Sequence, residues 1–303
     1  MDNSAEFLIF GATGQQGGAV ARALKARGKK VRAFTRNPNS ARSKALIAEG
    51  ISLAVGDLFD AASIDRAMVG VSGVFSVQTS SPGGEVTDDQ EVLQGKAIAD
   101  SAVRQGARHI VYSSGGAAGK GKTGMGHFDS KSEIEAYVQG LPIMSTITRP
   151  ATFMEMLLLP GMGLPRGEFT FFMRPDQSMQ MIALADLGRI NAEILMAPDR
   201  YSGEVIELAG ASVTGKDLQH AFTKAAGRPI IYKRFPDELL AANPFLRRLA
   251  ELLDSGLLAG AADLTALARE FGHLASLEEW LGGPGKTLFD AALNHDGAEV
   301  ALR

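Results

Sequence analysis

The chain of 303 residues contains no cysteine, a single tryptophan and no apolar run long enough to span a bilayer. Without cysteine there are no disulfides, thiolate metal ligands or cysteine nucleophile, which fits a reducing compartment. The run Met156-Leu157-Leu158-Leu159 is cut short by Pro160 and Gly161. No basic segment follows Met1, so no signal peptide is expected, and a cytoplasmic protein is the default. Acids are missing from Phe7 to Ala48, where nine basic residues occur: Arg22, Lys25, Arg27, Lys29, Lys30, Arg32, Arg36, Arg42 and Lys44. Most of these would sit on the outer face of one helix and its flanking loops, without interleaved aromatics. A solvated face is expected there, not a nucleic-acid arm. The net charge of −3 gives the whole molecule no general attraction for nucleic acid or anionic membranes. The five histidines are scattered without metal-ligand spacing, so no metal site is expected. No period of 20–50 residues and no low-complexity tract is evident.

What is present is concentrated near the start. Phe7-Leu8-Ile9-Phe10 is apolar and stops at Gly11, and further glycines follow at Gly14 and Gly17. An amphipathic stretch comes next, with Val20, Ala23 and Leu24 on one face. The pattern predicts strand, tight turn and helix. Gly11 lets the chain reverse, Gly14 lets backbone approach a ligand, and Gly17 lets helix and strand pack closely. The first helical turn then offers free N–H groups and a positive dipole end to a pyrophosphate. Gly11, Thr13, Gly14, Gln15, Gln16 and Gly17 are therefore candidate dinucleotide contacts.

Lys30 to Thr35 alternates and reads as a second strand. An NAD-binding fold usually has an acid at its end for the ribose 2′-hydroxyl. Thr35 and Arg36 stand there instead, and the guanidinium suits a 2′-phosphate. NADP(H) is thus favoured over NAD(H). A third strand ends at Gly56-Asp57, where related folds hydrogen-bond the adenine amino group and Leu58 could pack on the ring. A fourth ends at Gln78-Thr79-Ser80, bordering the nicotinamide ribose. After a helix from about Val86 to Gln105, the fifth strand covers 108–114 and the sixth lies within 141–150.

Strands alternating with helices predict an α/β fold: a Rossmann-type doubly wound parallel sheet with a smaller, mostly helical C-terminal lobe. The dinucleotide-binding domain is expected over 1–155, with 181–210 returning to it, and the substrate or partner lobe over 156–303. Pro150 and Phe153, at and just past the sixth strand, complete the candidate cofactor contacts. In the lobe, Phe169 to Met173 and Ile230 to Phe235 read as strands, and Ser276-Leu277-Glu278-Glu279 as a capping box. Met154, Met156, Met162, Phe169, Phe171 and Phe172 could line a pocket, although core packing is the more frequent explanation of such a group.

These features resemble the NmrA-like family of atypical short-chain dehydrogenase/reductase folds, particularly its NADPH-sensing members. The carriers are Gly11-Ala12-Thr13-Gly14-Gln15-Gln16-Gly17-Gly18, Thr35-Arg36-Asn37-Pro38, Gly56-Asp57, Gln94-Gly95-Lys96, Val111-Tyr112-Ser113, His127-Phe128-Asp129-Ser130-Lys131, Arg149-Pro150 and Leu277 to Leu281. The resemblance implies an NADP-binding domain with a smaller C-terminal lobe. It also implies a redox-responsive regulator with a protein partner, the reading favoured because His127 and Gly115 make a poor proton donor; a reductase of a small quinone- or enone-like molecule is the alternative. A homodimer is left open.

Active short-chain reductases pair a tyrosine with a lysine four residues later. Here His127 holds the tyrosine position and Lys131 the lysine position, making them the candidate catalytic pair. Lys131 can also hydrogen-bond the nicotinamide ribose. The usual catalytic serine position is Gly115, with Ser114 one residue away. Isoflavone-reductase relatives manage with the lysine and no tyrosine. A second pattern, Gly116-Ala117-Ala118-Gly119-Lys120-Gly121-Lys122-Thr123, fits a phosphate-binding loop, which requires a helix starting at the Lys-Thr pair. Gly124 and Gly126 disfavour one, so a flexible loop over the nicotinamide site is expected.

Overall fold

The computed structural model describes residues 5–78 and 86–294. The chain begins with β1 (Glu6–Ile9), α1 (Gln15–Ala26), β2 (Lys30–Thr35), α2 (Ala41–Ala48), β3 (Ser52–Val55), α3 (Ala61–Met68) and β4 (Gly73–Ser76). It continues with α4 (Asp88–Arg104), β5 (His109–Ser113), α5 (Gly126–Gln139) and β6 (Met144–Pro150). Three short strands follow, β7 (Thr152–Phe153), β8 (Glu168–Phe171) and β9 (Ser178–Ile182). Then come α6 (Leu184–Met196), α7 (Pro198–Tyr201) and β10 (Val205–Leu208).

The large sheet has the order β10-β6-β5-β4-β1-β2-β3. Every pairing from β3 across to β6 is parallel. β2 and β3 lie on one side of β1 and β4 on the other, so the direction of winding reverses at β1. A crevice opens at such a point beyond the carboxyl ends of the strands. β4 and β5 are buried along their whole length, as expected of central parallel strands covered on both faces. Leu8, Phe10, Val74, Ile110, Tyr112 and Ile147 face one core with Ile98, Ala99, Ala102, Ile134 and Val138 of the helices. Each fully buried large aliphatic side chain contributes about 1.5–3 kcal/mol.

The helices carry local start signals that match the sequence. Ser40 caps α2 and Asp60 caps α3. Thr87 and Gln90 form a capping box on α4, whose first turn holds Asp88, Asp89 and Glu91. Acids at that end are favoured by the helix dipole.

Two compact units emerge. The first comprises Met1–Gly121, Gly126–Arg149 and Leu187–Ile206; the second comprises Lys122–Met125, Pro150–Asp186 and Glu207–Arg303. Within the second, β11 (Ala211–Thr214) joins β9 and β7, and β12 (Ile231–Arg234) pairs with β8. Its helices are α8 (Gly215–Ala226), α9 (Asp237–Ala242), α10 (Pro244–Asp254), α11 (Leu264–Phe271), α12 (Leu277–Gly282) and α13 (Lys286–Asn294). The capping box at Ser276 and Glu279 is formed. Phe169 and Phe171 are fully buried, and Phe169 packs on Phe222, which stacks on Phe289. Met154, Met162 and Phe172 are buried as well, while Met156 is half-buried. The aromatic group is therefore core of the second unit.

Candidate functional site

The glycine segment forms the turn that its spacing requires. Gly14 N–H donates to Gly11 O at 2.9 Å, closing the turn between β1 and α1. Gly11 has a φ of +67°, a conformation that L side chains rarely adopt, and a Cβ there would lie 2.7 Å from Val77 Cγ1. A Cβ on Gly17 would lie 2.4 Å from Gly11 C and O. Gly14 is the N-cap of α1 and no side chain caps that end; its first turn carries no acid. The dipole end and its amides are thus left for an anion. Gln16 is tied down, its Oε1 accepting from Ser113 Oγ at 2.7 Å, so α1 is pinned to the carboxyl end of β5. Gln15 is exposed and Thr13 half-buried.

At the end of β2, Thr35 is buried and its hydroxyl bonds Ser43 Oγ at 3.2 Å, which fixes the turn into α2. Arg36 follows, exposed. A second cation appears that sequence reasoning did not single out: Arg42 Nη1 donates to Thr13 O at 3.4 Å. In the sequence this arginine is one of nine basic residues in a run that reads as a solvated face. The signal that could have found it is its position in the first turn of a helix capped by Ser40, immediately after β2. Asp57 Oδ1 accepts from Phe59 N–H at 2.9 Å, leaving the other carboxylate oxygen for a ligand. Leu58 packs, partly buried, against the sheet core.

Beyond β4 and β5 the site holds buried polar groups. Gln78 Nε2 donates to Ser76 Oγ at 2.8 Å, and Thr79 lies outside the described residues. Gln78 Oε1, Tyr112 Oη and Ser114 Oγ are buried and have no hydrogen-bond partner among the described residues. Native proteins rarely leave such atoms unsatisfied. The Gln78 and Ser114 atoms, just past β4 and β5, fit a polar ligand at the carboxyl ends of the strands. With the bare helix end and the glycine cradle, the residues present fit a dinucleotide.

Lys131 and His127 lie one turn apart on α5, and so share a face. Lys131 Nζ pairs with the fully buried Glu91 of α4 and lies 3.5 Å from Gln78 O. His127 is half-buried, its ring centroid 4.1 Å from that of Phe128. Burial, then the Lys131 ammonium, hold its pKa down at about 4, so the imidazole is neutral at neutral pH. Tyr112 offers no substitute acid: it is fully buried, and burial with the nearby Glu91 and Glu135 pushes its phenol well above the ordinary value. Glu135 pairs bidentately with Arg149 at 3.0 and 2.6 Å.

Pro150 closes β6, and Phe153 lies in β7 of the second unit. In the rival phosphate-loop motif no helix begins at Lys122-Thr123. Gly119, Gly121 and Gly124 take positive φ values and α5 starts only at Gly126, so the nest of helical amides that motif requires is not formed. Among the described residues no group of three or more acids and histidines could hold a metal, and no helix is long and apolar enough to cross a membrane.

The family model described as the NmrA-like family matches residues 3–275. The chain belongs to the NmrA-like family. An NmrA-like family domain-containing oxidoreductase from Cladobotryum sp. is 30% identical over 256 residues, covering 74% of this chain and 74% of the relative. The crystal structure of NmrA, a negative transcriptional regulator in complex with NADP, superposes with a TM-score of 0.78 at 21% identity, over 96% of this chain and 98% of that one. An NADPH-dependent quinone oxidoreductase from Escherichia coli, complexed with NADPH, gives a TM-score of 0.73 at 25% identity, over 91% and 98%. This is an NAD(P)-binding oxidoreductase family, and its Rossmann-type sheet with a helical C-terminal part is the fold seen here.

Proposed function

We propose that the protein binds NADP(H) in preference to NAD(H) and reduces quinone-like acceptors, small molecules that take a hydride without a proton from the protein. The observation that carries this reading is the place of His127, half-buried against Phe128 and one turn from Lys131 on α5, where short-chain reductases have their proton-donating tyrosine; burial and the Lys131 ammonium keep its imidazole neutral. The bound nicotinamide would supply the hydride. Gly11 to Gly17 would hold the pyrophosphate, Arg36 with Arg42 the 2′-phosphate, and Lys131 the nicotinamide ribose. Asp57 and Leu58 would border the adenine. His127 would act as a neutral polar wall. A quinone that accepts hydride becomes a ring-stabilised phenolate, which water can protonate afterwards. An aldehyde or simple ketone would become an alkoxide and needs an acid in the transition state. The likeness to an oxidoreductase and to a quinone oxidoreductase supports this choice.

Following NADPH oxidation with a panel of quinones, enones, aldehydes and ketones tests the reading. Quinone turnover is expected to exceed aldehyde turnover by about a hundredfold, the usual contribution of one general acid. His127→Ala should leave quinone turnover nearly unchanged. Aldehyde turnover that is robust and lost in His127→Ala would contradict the reading.

A second reading, a regulator that reports the state of its cofactor to a protein partner, draws on the likeness to NmrA. It requires only that NADPH and NADP⁺ bind two conformations differently. Background turnover with every acceptor, together with cleavage between Gly119 and Gly126 that NADPH suppresses, would favour it.

A further inference from the structure

We propose that Glu91 is a positioning residue for Lys131, fixing the ammonium so that one N–H is aimed at the nicotinamide ribose. The inference rests on the NADP(H) reading given above. Glu91 has no solvent exposure, and it lies in the first turn of α4 behind the Thr87–Gln90 capping box. Its Oε1 takes the Lys131 ammonium, and its Oε2 accepts from Ser130 Oγ at 2.6 Å. Neighbouring residues of α5 thus grip both carboxylate oxygens. Gln78 O approaches the same ammonium at 3.5 Å from the end of β4. An ammonium has three donors. Among the described residues two are directed by Glu91 and Gln78, and the third remains for a ligand.

A lysine on a flexible four-carbon stem is otherwise a poorly directed donor. A buried ion pair adds little stability over a well-packed apolar pair. What it adds here is direction, because the carboxylate is itself held at both oxygens. No motif marks Glu91 in the sequence; it is one of three acids in the first turn of α4, and only the fold brings it to Lys131.

The test measures dissociation constants for NADPH and for 2′,5′-ADP, which lacks the nicotinamide ribose, in wild type and Glu91→Gln. Glu91→Gln is expected to weaken NADPH by about tenfold, the size of one charge-assisted hydrogen bond. Affinity for 2′,5′-ADP should stay within about twofold, as for an independent site. On a Lys131→Met background the same substitution should cause no further loss of NADPH affinity. Unchanged NADPH affinity, equal losses for both ligands, or a loss that persists on the Lys131→Met background would each overturn the inference. If Glu91→Gln is not recovered folded, Glu91→Asp, which withdraws the carboxylate by one methylene, should show the same NADPH-selective loss at smaller size; equal or absent losses would overturn it. Wild type that binds neither ligand would instead refute the NADP(H) reading on which the inference rests.

Discussion

Gly17→Ala is expected to weaken cofactor binding by about a hundredfold and to destabilise the first unit. The added Cβ would meet Gly11 C and O at 2.4 Å and Ala12 N at 2.7 Å. These are backbone atoms of the turn itself, so no side chain can swing aside. Overpacking of this kind costs about 1–3 kcal/mol, and rigid neighbours put this position at the upper end. The only relief is to move α1 away from β1, which carries the amides of its first turn out of place. Such displacement costs about a hundredfold in a positioned site. Thermal denaturation and nucleotide titration measure the two effects. Gly14→Ala is the contrast, since its Cβ would be 3.2 Å from Gly11 O and its φ of −95° suits any residue. There the fold should lose under about 1 kcal/mol, while an anion can no longer approach the backbone. Equal stability of wild type and Gly17→Ala would show that the cradle is looser than described.

Lys131→Met should destabilise the protein by about 3–5 kcal/mol, because it removes the ammonium that pairs with the fully buried Glu91 carboxylate. Adding Glu91→Leu should recover most of that stability, since an apolar pair of similar volume takes the place of the buried ion pair. Urea denaturation of the two variants measures this. The recovered double variant should still bind NADPH more weakly than wild type, which separates the lysine's two roles. A single variant as stable as wild type would mean that Glu91 finds another partner or water. Any loss of activity in Lys131 variants has to be read against this stability change.

Much of this fold was legible in the sequence because its signals are local. The apolar run ending at Gly11, the glycine spacing and the strand–helix alternation each depend on a few adjacent residues. The capping box at Ser276 and Glu279 was readable for the same reason. The three-stranded sheet of the second unit, β11-β9-β7, was not read. β9 alternates buried Met179 and Met181 with polar residues, but methionine carries little strand preference, and β11 is only four residues long. Among the candidate site residues, Lys131 and His127 were legible only through the family resemblance, which places a lysine four residues after the tyrosine position. Arg42 and Glu91 were not, because their roles arise from contacts with residues 29 and 40 positions away in the chain. The depressed pKa of His127 likewise comes from burial and a neighbouring charge, neither of which the residue type reveals.

The most direct test of a dinucleotide site built for a 2′-phosphate is calorimetric titration of NADPH and NADH into wild type and Arg36→Asp. Wild type is expected to bind NADPH at least about tenfold more tightly, as one charge-assisted phosphate contact requires, and Arg36→Asp to erase or invert that preference. Equal affinities in wild type, unchanged by the substitution, would contradict the account.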